Sequence, residues 1–172
     1  MSSVSIQVLK KEDWATYREL RLLSLQDSPD SFGSSYELEI QYSNAEWVSR
    51  LDPDKRAKYA LPLIAKVNGV AIGLIWGLLH NPSDNTAHIY QMWVSPSVRG
   101  KGVGRSLLKK VIEWAINSGL HNISLAVTTT NLAAIHLYES VGFEPYGSLE
   151  KLSATSLMSV QSMKLNLCAN AD

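Results

Sequence analysis

Residues Arg99 to Ser106 read Arg-Gly-Lys-Gly-Val-Gly-Arg-Ser, so glycine stands at every second position and Arg99, Lys101 and Arg105 fill three of the others. The segment follows an apolar run that reads as a strand and opens a pattern that reads as a helix. At such a junction several backbone NH groups lack helical partners and the positive end of the helix faces outward. Gly100, Gly102 and Gly104 carry no β-carbon to keep a phosphate off the backbone, and the three cations add local charge. The chemistry on offer is therefore anion binding. A Walker A loop would need glycine and lysine where Arg99 and Arg105 stand, and a dinucleotide fingerprint would need glycine at Arg105. Both nucleotide classes are excluded.

Asn131 and Tyr138 stand seven residues apart in the next helical pattern, nearly two turns, so their side chains share a face. His88 lies on a predicted strand and has a side chain suited to proton transfer near neutral pH. Glu37 and Glu39, just beyond Phe32, could serve as a base or in binding. The four histidines show no metal-ligand spacing, and His-Glu-x-x-His, paired Cys-x-x-Cys and calcium loops are absent, so no metal is expected. Gly-x-Ser-x-Gly is missing, and Cys168 stands alone in a polar tail, which leaves no activated nucleophile. Trp14, Trp47, Trp76 and Trp114 read as core or interface.

The elements that must position these groups follow from periodicity. Ser5 to Leu9 alternates as a strand, and from Glu12 to Gln26 the residues Trp14, Tyr17, Leu20 and Leu23 recur at helical spacing. Asp27-Ser28-Pro29-Asp30 ends that helix. A polar loop with Phe32, Gly33 and Tyr36, suited to binding, then leads to a short helix near Trp47. Leu61 to Val67 and Val70 to Leu79 form a hairpin about Asn68-Gly69. Thr86 to Val94 is a third strand, with His88, Tyr90, Met92 and Val94 expected on one face. Val103, Leu107, Leu108, Val111, Ile112 and Ala115 mark a long helix stopped by Gly119. Ile123 to Val127 is a buried strand, Asn131 caps a helix ending at Gly142, and Phe143 to Leu152 and Leu157 to Leu165 close the chain as strands. The whole is an α/β (α+β) chain built on a mixed sheet.

The chain has 172 residues, enough for one domain with its own core, here placed at about 5–165 with a tail over 166–172. Sixteen basic and sixteen acidic residues cancel, so no global field favours nucleic acid or an anionic membrane. The longest apolar run, Val70 to Leu79, is about half of the roughly 20 residues a spanning helix needs. With no secretory pattern at the start and a single cysteine, a cytoplasmic protein is expected.

Arg99-x-x-Gly102-x-Gly104, between a strand and a long helix, resembles the pyrophosphate motif of the GNAT superfamily of N-acetyltransferases. Asn131-x-x-Ala134-x-x-Leu137-Tyr138-x-x-x-Gly142-Phe143 is similar to the segment that borders pantetheine and thioester in that family, and the order of elements from Ser5 to Leu165 matches its fold. The resemblance implies a GNAT fold: one mixed, mostly antiparallel sheet of about seven strands with a central splayed parallel pair and about four flanking helices. It implies acetyl-CoA as cosubstrate, bound by Arg99, Gly100, Lys101, Gly102, Val103, Gly104, Arg105 and Ser106, by the backbone of Met92, Trp93 and Val94, and by Asn131, Ala134 and Tyr138. Tyr138 would hydrogen-bond the departing thiolate, and the strand position that often holds a glutamate base falls on His88. The acceptor cleft would be lined by the loop carrying Phe32, by Tyr36 and by the last hairpin. The implied reaction is direct transfer of acetyl to a primary amine of a small molecule or peptide within a ternary complex; an acyl-CoA-binding module without turnover is the alternative. The family commonly dimerises.

Overall fold

The computed structural model describes residues 3–54 and 59–168. Among these, seven strands form one sheet in the order β1-β2-β3-β4-β5-β7-β6, with five α-helices around it. Strands β1 (Val4–Val8), β2 (Ala60–Val67), β3 (Val70–Leu78) and β4 (Thr86–Val94) pair antiparallel in sequence. The β2–β3 turn has Asn68 at φ 50° and Gly69 at φ 78°, the left-handed pair that a two-residue hairpin turn requires. Helix α4 (Val103–Asn117) then crosses over to β5 (Asn122–Thr128), the one strand parallel to its neighbour β4 among the described pairs. After α5 (Leu132–Ser140), β6 (Glu144–Lys151) forms the far edge and β7 (Ser159–Asn166) inserts between β5 and β6. Predicted strand ends agree to within one or two residues. The helix beyond the expected four is α2 (Tyr36–Glu39), a single turn begun by Ser35, whose Oγ accepts from Leu38 N at 3.2 Å; so short a helix leaves no periodic trace.

Each face of the sheet has its own core. On one, Leu107, Leu108, Val111 and Ala115 of α4 are fully buried against Ala65, Ile75 and Ile123. On the other, α1 (Trp14–Asp27) and α3 (Asn44–Leu51) bury Tyr17, Leu20, Trp47 and Leu51 against Ile64, Leu74 and Trp76. The inner stripe of α1 differs from expectation: Leu23 is exposed, and Arg21 and Ser24 are buried in line with Tyr17 and Leu20. Trp14, Trp47, Trp76 and Trp114 pack in or against these clusters.

Strand β4 changes face midway. Trp76 pairs with Tyr90 and Leu74 with Trp93, so Ile75 alone opposes Gln91 and Met92. The extra residue is a bulge, and Gln91 holds φ 54°, a left-handed value that side chains other than glycine seldom adopt. Ala87 and Ile89 face α4 before the bulge, Met92 and Val94 pack there after it, and Trp93 turns to the α1 side. His88 and Tyr90 therefore do not share a face with Met92 and Val94, because the bulge interrupts the period of two.

Candidate functional site

The parallel pairing of β4 and β5 lasts only from Thr86–His88 to Asn122–Ser124. Beyond it β5 stays paired to β7 along its whole length while β4 stays with β3, so the two central strands part. A long cleft opens there. Its middle is walled by Met92 and Val94 on one side and Leu125 and Val127 on the other, and it reaches the Arg99–Arg105 turn at one end and Tyr17, Phe32 and Trp76 at the other.

At the turn, Gly102 caps α4 with φ 85° and no side-chain cap bond forms, whereas α2, α3 and α5 are capped by Ser35, Ser43 and Asn131. The first NH groups of α4 thus open onto the cleft, beside Gly102, Val103 and Gly104. Gly100 and Gly102 are needed for their positive φ and face open space. Gly104 serves a different end: a β-carbon there would lie 3.1 Å from the Met92 methyl and 3.2 Å from Leu137, so it lets α4 close on β4 and α5. The cations are largely committed to the protein. Arg99 Nε donates to Val94 O at 2.8 Å and its guanidinium pairs with Asp27 at 2.6 Å. Arg105 donates to Ser140 Oγ at 2.8 Å and bridges α4 to α5. Ser106 Oγ donates back to Gly102 O at 3.0 Å, the Val103 side chain is in the core, and neither Lys101 nor Ser106 lines the cleft.

Asp27 ties this turn to α1. Burial pushes its carboxyl up, but hydrogen bonds from Ser28, Trp93 Nε1 and Arg99, together with the Arg99 charge, outweigh burial and hold it below its ordinary value.

Opposite the turn, Asn131 Oδ1 accepts from Ala134 N at 3.2 Å, which occupies its side chain with capping α5. Asn131, Ala134 and Tyr138 all line the cleft. Tyr138 is 5 % exposed, and burial raises its phenol well above the ordinary range, so it keeps its proton at any physiological pH. It can donate a hydrogen bond to a developing anion but is too weak an acid to surrender the proton outright.

Beneath the far end lies Glu39, expected as a base or in binding, with residues that motif reasoning passed over: Tyr17, Arg21, Arg50 and Gln91. Glu39, 1 % exposed, accepts from Arg21 Nε at 3.1 Å and from Arg21 and Arg50 guanidinium nitrogens at 2.8 Å each. Burial raises Glu39, but the hydrogen bond and charge of Arg21, with further bonds from Ser34 and Arg50, bring it below the usual carboxylate range. The Arg21 guanidinium lies 4.9 Å from the Phe32 ring centroid, and Arg50 lies 4.7 Å from that of Tyr42. Tyr17 donates to Gln91 Oε1 at 2.8 Å and so braces the bulge from α1. The available signals were weak: a polar Gln91 inside an apolar strand, and Tyr17 and Arg21 one helical turn apart.

Other expected residues stand elsewhere. Phe32 lines the cleft, but Tyr36 packs against the α1-side core and Glu37 is exposed outside the lining. His88 faces a separate shallow pocket with Asp84, Ser124 and Tyr146. Its ring centroid is 4.7 Å from that of His80, and burial and His80 lower its pKa against the pull of Asp84. Tyr90 does line the main cleft, and its hydroxyl is 2.9 Å from His80 Nε2. Among the described residues no three His, Cys, Asp or Glu side chains converge as a metal site would require, and no helix is long and apolar enough to cross a membrane.

Comparison with known proteins agrees with this architecture. N-acetylaspartate synthetase of Xenopus tropicalis is 34% identical over 87 residues, 51% of this chain and 32% of that protein. The chain thus matches about a third of the length of such curated relatives. Among solved structures, the acetyltransferase of GNAT family from Streptococcus pneumoniae superposes with TM-score 0.80 at 23% identity, covering 95% of this chain and 99% of that one. Spermidine N-acetyltransferase from Vibrio cholerae, in complex with CoA and spermine, gives TM-score 0.75 at 21% identity and covers 96% of each chain. The family model of the GNAT acetyltransferases matches residues 17–143, which takes in the α1 brace, the bulged strand, the glycine turn and the Asn131–Tyr138 helix, and the chain belongs to the GNAT acetyltransferase family.

Proposed function

We propose that the protein binds acetyl-CoA in the cleft and transfers its acetyl group directly to a primary amine within a ternary complex. The observation that carries this is the meeting, in one cleft, of the uncapped α4 N-terminus, the parted β4 and β5 edges and the Tyr138 side chain. The pyrophosphate sits on the Gly102–Gly104 backbone, pantetheine runs along the open edge of β4 past Met92 and Trp93, and the thioester lies near the bulge. Val94 offers less than its neighbours, because its carbonyl already accepts from Arg99. An NH aimed at the developing oxyanion contributes about 3 kcal/mol in acyl transfers of this kind. As the C–S bond breaks, Tyr138 donates to the sulfur while keeping its proton.

An amine of pKa about 10.4 must lose a proton before attack, at about 4 kcal/mol near neutral pH. Tyr90 and His80 provide the path: the Tyr90 oxygen takes the ammonium proton as its own passes to His80 Nε2. His88, outside the cleft, acts only through its contact with the His80 ring.

Thiol release from acetyl-CoA, measured against amines, amino acids and peptides, tests the function. Acceptor-dependent release is expected, and Tyr90→Phe and His80→Ala should each lower kcat while CoA affinity holds. Tight CoA binding with no release for any acceptor would refute transfer and leave a CoA-binding module.

A further inference from the structure

Resting on that transferase function, we infer that the acceptor is an amino acid whose carboxylate is held by Arg21 and Arg50 at the α1–α3 end of the cleft. Two guanidinium groups share one acid there, so Arg21, Arg50 and Glu39 together carry a net positive charge beneath aromatic walls. Arg21 is 5 % exposed, and its remaining terminal nitrogen is buried without a hydrogen-bond partner among the described residues. A buried cationic donor left unpaired is costly, and both arginines line the cleft, so a ligand anion supplies the missing partner.

Of the neighbouring acids, Asp27 is taken by Arg99 and Trp93. Asp30 and Glu46 stand exposed at the cleft lining, Glu46 accepting from Ser43 N at 2.6 Å and acting by charge on Arg50. The buried Arg21 donor that lacks a partner among the described residues is therefore the anchor.

Reach fits as well. Arg21 follows Tyr17 by four residues, about 6 Å along the helix axis, and the Tyr17 hydroxyl bonds Gln91 at the bulge beside the open β4 edge. A molecule with its amine at the bulge can therefore place a carboxylate against the arginines. A diamine would put its second cation against them instead, which disfavours polyamines.

The test compares amino acids with their carboxamides and with the matching diamines in thiol release, lysine against lysinamide and cadaverine among them, alongside calorimetric binding of CoA. The acid should exceed its amide in kcat/KM by about tenfold or more, as loss of a charge-assisted bond implies. Arg50→Gln, at the less buried arginine, should bring acid and amide to near equality while CoA affinity holds, and Arg21→Lys should restore part of the preference that Arg21→Gln removes. Amides or diamines used as well as acids, with CoA binding intact, would overturn this inference alone. Loss of CoA binding in the wild-type protein would overturn the transferase function itself.

Discussion

Substituting Gly102 separates phosphate binding from folding, because the two respond in opposite directions. Gly102 holds φ 85° with no atom within 4 Å of where a β-carbon would stand, so any side chain fits sterically and incurs mainly the left-handed strain of about 1–2 kcal/mol. Gly102→Ala and Gly102→Glu share that strain. Glutamate at the helix N-terminus should recover about 0.3–1 kcal/mol by facing the positive end of α4, so the Glu variant should be the more stable of the two. A phosphate seated there meets the opposite effect. One negative charge about 5 Å from another repels by roughly 1–3 kcal/mol across effective dielectrics of about 80 down to 20, which weakens CoA by about 5- to 150-fold relative to the Ala variant. Calorimetric titration with CoA at low and high salt, beside urea unfolding, reads both quantities. Equal CoA affinity in the two variants would refute the phosphate site at this turn, and a Glu variant less stable than Ala would refute the view of an uncapped helix end.

Tyr138→Phe should lower kcat by about tenfold or more while CoA affinity changes little, and the wild-type rate should show no alkaline fall from Tyr138 up to about pH 10, since burial raises that phenol; equal kcat in the variant would remove the hydroxyl from the mechanism. Glu39→Gln leaves a buried Arg21 without its acid and should cost about 3–5 kcal/mol, a fall of about 6–20 °C in Tm for a chain of this size. Because the folded pKa of Glu39 is lowered, its contribution is present above the unfolded carboxylate value near 4.3 and is lost as pH falls below it, so the gap between wild type and variant should close in acid; a gap independent of pH would assign the loss to packing. Tyr17→Phe removes the bond to Gln91 and should raise acceptor KM more than it changes CoA affinity, with about 1 kcal/mol lost in chemical unfolding; an unchanged acceptor KM would separate the bulge from acceptor binding.

The glycine turn and both central helices were legible in the sequence because their signals are local: alternating glycines, a seven-residue Asn–Tyr spacing, and apolar residues recurring at three and four. The far end of the cleft was not, because it is assembled from α1, α2, α3 and β4 by long-range packing. Arg21 looks like a solvated helix residue until Glu39, eighteen positions later, is folded beneath it. The separation of His88 and Tyr90 from the face of Met92 and Val94 was hidden for a similar reason. A period of two carries no mark of an extra residue, and only the pairing of Ile75 against both Gln91 and Met92 shows that β4 turns over. The same bulge that defeats the pattern turns Met92 and Val94 toward α4 and leaves Tyr90 on the face of Trp76, so one strand lends side chains to the cleft from both of its faces.

The commitments of Arg99 and Arg105 change what the basic turn means. Read as charge alone, the segment suggests cationic side chains closing on phosphate. In the fold, Arg99 holds Val94 O and Asp27, and Arg105 holds Ser140, so both mainly fix the turn to β4, α1 and α5. At the proposed phosphate site an anion would meet the backbone NH groups of the helix end, whose dipoles do not titrate, together with the outer nitrogens of two arginines that line the cleft and are already held in place. Such a site keeps its geometry when empty, because its donors are part of the main chain and the arginines that brace it have partners within the protein. It follows that neutralising Arg105 should both loosen the α4–α5 contact and remove a cation from the cleft lining, whereas substituting Gly102 acts at the helix end alone.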